Sequence, residues 1–138
     1  MSEYTKQAAD FLKKAGARMT ISYAETVTGF PFSKGDNNNH NKYIVRINRA
    51  GKSYSFPFYD SAANTWSAKR PTAYDVLACV QSDNPGDFWD FVDEYGYEIH
   101  GREDYERTHQ IWGECWKQYK KLRRIFGDEL MADLQEIR

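Results

Sequence analysis

The sequence predicts an α+β fold, with an N-terminal helix, a three-stranded antiparallel β-meander, and a helical C-terminal half packed on the sheet. Two observations carry this. Apolar residues recur at helical spacing up to Ala15, then switch to strict alternation over three segments beginning near Arg18. From Ala73 onward the helical spacing returns and persists. Such an order segregates helices from an antiparallel sheet. The 138 residues fit one domain spanning 1–138, with no internal repeat or boundary.

Ser2 is placed to cap the first helix, whose body runs from Thr5 to Lys14 with Ala8, Phe11, Leu12 and Ala15 on one face. Gly16 stops it. Met19, Ile21 and Tyr23 then alternate with polar neighbours, as do Tyr43, Val45 and Ile47, and again Tyr54, Phe56 and Phe58. Gly51 in "NRAGKS" suits a tight hairpin between the last two strands. Pro57 has no N–H for a ladder, which puts its strand at a sheet edge or ends it there. The polar stretch from Thr28 to Lys42 reads as a long mobile loop containing His40 in a solvated turn, with Phe30 and Phe32 either pinning it to the core or projecting as a contact. "SAANTWSAKR" reads as a second loop.

Thr72 and Asp75 form a capping-box pattern ahead of a helix face made by Ala73, Val76, Leu77 and Val80. "SDNPG" breaks that helix. The next one begins near Pro85, with Asp83 or Asn84 as its cap, and closes at Gly96. Phe88, Phe91, Val92 and Tyr95 share its apolar stripe, and Trp89 stands at the margin. A long helix follows from about Arg102 to Ile125. Gly127 ends it, and Asp128 caps a short terminal helix carrying Leu130, Met131, Leu134 and Ile137. Tyr74, Val76, Leu77, Phe88, Phe91, Trp112, Trp116 and Tyr119 are expected to join Phe11 in one core. Cys79 and Cys115 lack CxxC spacing and read as small buried hydrophobes of a reduced compartment.

Function classes narrow by exclusion. No GxSxG, P-loop, HExxH or GxGxxG occurs, so the expectation is a protein without catalytic residues. No metal or other cofactor is expected. His100 and His109 sit among carboxylates where a helix N-terminus favours negative charge, which accounts for them without a metal. No apolar run reaches the roughly 20 residues of a membrane span, and the N-terminus lacks a signal-peptide core. A cytoplasmic location in a host cell and no membrane partner follow as expectations.

The net charge of −1 conceals segregation. Residues 1–60 carry 9 Lys/Arg against 5 Asp/Glu, residues 61–100 carry 2 against 7, and residues 101–138 carry 8 of each. Local fields of this kind steer partners. Two stripes are the candidate binding sites. The acidic one comprises Asp87, Trp89, Asp90 and Glu94. The basic one comprises Lys117, Lys120, Lys121 and Arg124 on one side of the long helix, able to meet phosphates or an acidic surface. A plainer possibility is that the two stripes neutralise each other.

The motifs P-x-A-Y-D-V-L-A-C (Pro71 to Cys79), P-G-x-F-x-x-F (Pro85, Gly86, Phe88, Phe91) and the pair Gly96–Tyr97, followed by "YKKLRRIF", resemble a family of short uncharacterised proteins of tailed bacteriophages and mobile elements. Val92 departs from the Cys that such relatives often carry, which argues against a metal or redox role there. The resemblance implies a small phage-type accessory protein without a known cofactor, and transfers no catalytic residue. Two functions are then expected alternatives. One is a stoichiometric inhibitor of a bacterial defence protein or ribonucleoprotein complex, in the manner of anti-CRISPR proteins. The other is a nucleic-acid-binding accessory protein of phage replication or transcription.

Overall fold

A computed structural model describes residues 2–29, 35, 37–60 and 70–137. The expected roles of Phe30 and Phe32, and the loop over 61–69, lie outside the described residues. The elements run α1 (Glu3–Ala15), β1 (Ala17–Thr28), β2 (Asn39–Arg49), β3 (Lys52–Tyr59), α2 (Ala73–Cys79), α3 (Phe88–Tyr95) and α4 (Arg102–Gln135). The fold is α+β, with one antiparallel sheet in the order β1-β2-β3.

Three cross-strand rows lie on the core side of the sheet: Met19–Ile47–Tyr54, Ile21–Val45–Phe56 and Tyr23–Tyr43–Phe58, the last ending on the exposed Tyr23. Each row stacks apolar side chains on one side of the pleat, where directly opposed pairs interact. Val45, Ile47 and Phe56 are buried against Ala8, Phe11, Val76, Leu77, Leu122, Ile125, Phe126, Met131 and Leu134. Phe11 and Phe126 meet edge to face at 5.3 Å.

Local chemistry sets the helix ends. The Ser2 side chain accepts from the Thr5 N–H, and Gly16 closes α1 at φ 63. Thr72 and Asp75 make the reciprocal capping box of α2. At Gly127 α4 leaves helical geometry (φ 79, ψ 167), so the terminal helix is set off by a kink, as its glycine predicts. That break strands the last carbonyls of the preceding segment, which need partners. Arg49 and Lys52, at the β2–β3 hairpin, supply them: Arg49 Nη1 donates to the Ile125 carbonyl at 2.8 Å and Lys52 Nζ to that of Arg124 at 3.2 Å.

Four expectations need correction. The strands extend further than their apolar alternation, so the connection between them is shorter than Thr28 to Lys42. Thr26 and Thr28 on β1 donate to Asn41 and Asn39 on β2, a polar side-chain ladder that replaces apolar contacts at that end. His40 is buried in β2 rather than in a solvated turn, with Nδ1 at 3.1 Å from the Asp60 carbonyl oxygen. Cys79 is exposed and Cys115 half-buried, so neither is a buried hydrophobe. The cap of α3 is Asp87, accepting from Asp90 N–H at 2.9 Å, because Pro85 and Gly86 form the turn before it and leave Asp83 and Asn84 too early.

Candidate functional site: the acidic aromatic face of α3

Phe88, Phe91, Trp112 and Trp116 do not join the main core. They form a separate aromatic layer between α3 and α4, whose rim is open to solvent. Phe88 is its centre, with ring centroids of Trp89, Tyr105, His109 and Trp112 at 5.0, 5.1, 5.1 and 5.9 Å. Phe91 meets Tyr95 at 4.8 Å and stacks with Tyr97 at 5.6 Å. Offset and edge-to-face ring pairs of this kind add to the area they bury. His109, read from the sequence as an imidazole among carboxylates, lies at the layer's exposed edge, its ring 5.7 Å from that of Tyr105 and 5.0 Å from that of Trp112.

Two indoles fix the turn into α3. Trp112 Nε1 and Trp116 Nε1, one helical turn apart, both donate to the Gly86 carbonyl at 3.0 Å. A carbonyl oxygen has two lone pairs, so one backbone group takes both bonds. Asn84 Oδ1 accepts from the Gly86 N–H at 2.8 Å. The tryptophans therefore act as clamps as much as core residues, and they hold the first turn of α3 against α4.

With Phe88, Phe91 and Val92 turned inward, the outer side of α3 presents Trp89, Asp90, Asp93 and Glu94, with Asp87 at its start. Trp89 is 59% exposed and Tyr105 40%, their centroids 6.1 Å apart. Large exposed aromatics in one patch are unusual on a lone folded chain and mark interaction surfaces. Asp93 was missed as a site residue from the sequence. Its i, i+4 spacing from Trp89 was the available signal.

Asp87, Asp90, Asp93 and Glu94 have no cationic partner among the described residues. The carboxylates at the start of α4 do: Arg102 pairs with Glu106 at 3.0 Å, and Arg107 with Glu103 at 3.0 Å and Asp104 at 3.2 Å. Asp90 carries the electrostatic consequence. Its hydrogen bond with Asp87, then the charges of Asp87 and Asp93, hold its carboxyl above the usual range. A surface on which carboxylates repel one another favours an incoming cation.

The basic stripe lies elsewhere on α4. Lys117 pairs with Glu114 of the same helix at 3.4 Å. Lys120 lies over the Trp116 ring at 5.4 Å and Lys121 over the Tyr54 ring at 5.0 Å. Arg124 is exposed, its carbonyl held by Lys52. No ion pair joins this stripe to the α3 carboxylates among the described residues, so the two stripes do not neutralise each other.

Among the described residues no three His, Cys, Asp or Glu side chains gather closely enough to hold a metal ion, and no helix is long and apolar enough to cross a membrane. No protein-family model, curated protein or solved structure matches the chain. What fold and site define is an α+β protein presenting one acidic, aromatic helix face.

Proposed function

We propose that this is a phage-type accessory protein of the host cytoplasm that acts without catalysis, as a stoichiometric inhibitor of a bacterial defence complex. Its α3 face would occupy a basic surface on which that complex docks nucleic acid or a subunit. The observation that carries the reading is the exposed Trp89 among four carboxylates that have no cationic partner among the described residues. A central aromatic anchor provides slow dissociation, and surrounding like charges provide fast, oriented association.

The nucleic-acid reading rests on Lys117, Lys120, Lys121 and Arg124. Two facts weaken it. Lys120 and Lys121 already cover the rings of Trp116 and Tyr54, which hinders base stacking there. The net charge of −1 also gives a polyanion little general attraction.

The test is phage plating on bacteria that express the protein alongside a panel of defence systems, CRISPR–Cas systems included. Wild-type protein should restore plating against one of them. Trp89→Ala should abolish that restoration, while Lys120→Glu/Lys121→Glu should keep it. Restoration lost only in the lysine variant would overturn the assignment of the α3 face.

A further inference from the structure

The partner's chemistry can be taken one step further, and the step rests on reading α3 as an interface. We propose that the face is a guanidinium-recognition site, taking arginine side chains from an arginine-rich segment of the partner. Four observations converge. Trp89 and Tyr105 are exposed rings 6.1 Å apart and tilted by 43°, with the buried Phe88 ring at 5.0 and 5.1 Å from them. Phe88 thus holds both rings from beneath while their outer surfaces meet solvent. Asp93 follows Trp89 by one turn, so a cation over the indole finds a carboxylate beside it. Among the described residues the α3 carboxylates lack cationic partners, whereas those opening α4 are already paired with Arg102 and Arg107. The two indoles on the Gly86 carbonyl fix this arrangement before any partner arrives.

Planarity decides between the two cationic side chains. A guanidinium stacks flat on an indole while its edge donates in parallel to a carboxylate, and it sheds water more readily than an ammonium. Lysine satisfies the charge but not the stack. An acidic surface without exposed rings would rank the two only through the paired donation to carboxylates, whereas on this one the ranking should also depend on Trp89.

The experiment is calorimetric titration of the full chain with hexa-arginine and hexa-lysine peptides at fixed salt. The arginine peptide should bind more tightly, by up to about 5-fold per stacked side chain, the upper end of an exposed cation–π contact. Trp89→Leu should weaken arginine binding more than lysine binding and so narrow the gap between the two peptides. Asp93→Asn/Glu94→Gln should weaken both. Equal affinity for the two peptides, no binding of either, or an unchanged preference in Trp89→Leu would overturn the proposal. Since Trp89 is exposed, its substitution should leave folding intact, which thermal unfolding of the same samples checks. If the preference is absent yet Trp89→Ala still abolishes restored plating, guanidinium recognition falls and the interface stands. If the preference holds and no plating is restored, the inhibitor reading falls and the site stands.

Discussion

Arg49 binds two helix ends at once, donating through Nε to the carbonyl of Ala15 at 2.6 Å and through Nη1 to that of Ile125 at 2.8 Å. Both acceptors belong to final helical turns, where carbonyls lack intrahelical donors and cations are favoured. One side chain at the end of β2 thereby ties α1 and the kink of α4 to the sheet.

Arg49→Met should cost about 1.5 to 3 kcal/mol, the range for hydrogen bonds to a charged group. Arg49→Lys should recover only part of this, because an ammonium lacks the fixed fork that spans two acceptors. Urea unfolding of the three proteins would measure both values. Equal stability of all three would show that solvent satisfies these carbonyls as well as Arg49 does.

Two glycines of α4 should respond with opposite signs. Gly127 sits at φ 79, ψ 167, a region closed to other residues, so Gly127→Ala should destabilise by about 1 to 3 kcal/mol. Gly113 lies inside the helix with nothing within 4 Å of an added Cβ, so Gly113→Ala should stabilise by about 0.5 to 1 kcal/mol. Midpoints of thermal unfolding should move apart for the two variants.

The main core and the α3 layer should separate under mutation. Leu77 is fully buried, and Leu77→Ala should cost about 2 to 5 kcal/mol of global stability. Trp116→Phe keeps a ring but loses the bond to Gly86, a loss of about 0.5 to 1.5 kcal/mol. Hydrogen exchange should show that loss chiefly as faster exchange of α3 amides. Uniform acceleration across the sheet as well would mean that the two layers unfold as one.

Burial, then the Glu114 charge, raises the pKa of the Cys115 thiol. A raised pKa means less thiolate at neutral pH, and the thiolate is the reacting species. Iodoacetamide at pH 7 should therefore modify the exposed Cys79 well before Cys115, with the gap narrowing as pH rises. Mass spectrometry of the two peptides gives the order, and faster Cys115 labelling at pH 7 would contradict it.

Much of the fold was legible because it depends on local signals. Ser2, the Thr72–Asp75 box, Gly16 and Gly127 act within a few residues of themselves, and the alternation from Met19 to Phe58 reports a half-buried sheet directly. What failed depends on distant partners. The strand around His40 is held by Thr–Asn bonds and by Asp60, and its Asn run imitates a loop. Trp112 and Trp116 fit a core stripe, yet their indoles reach back to Gly86, a pairing that no periodicity reveals. Asp87 was read as a charge on a helix side when its first task is capping. Consequently Asp87→Lys would disturb α3 itself, by about 1 kcal/mol, and Asp93 and Glu94 are cleaner probes of the face.

The most direct test of the α3 face as the interface is site-specific photo-crosslinking in host bacteria, with benzoylphenylalanine at position 89 or at position 120. Both residues are exposed, so either substitution should leave the fold intact. The α3 interface predicts a discrete protein adduct from position 89 and none from position 120. An adduct from position 120, to nucleic acid or protein, with position 89 silent, would contradict it.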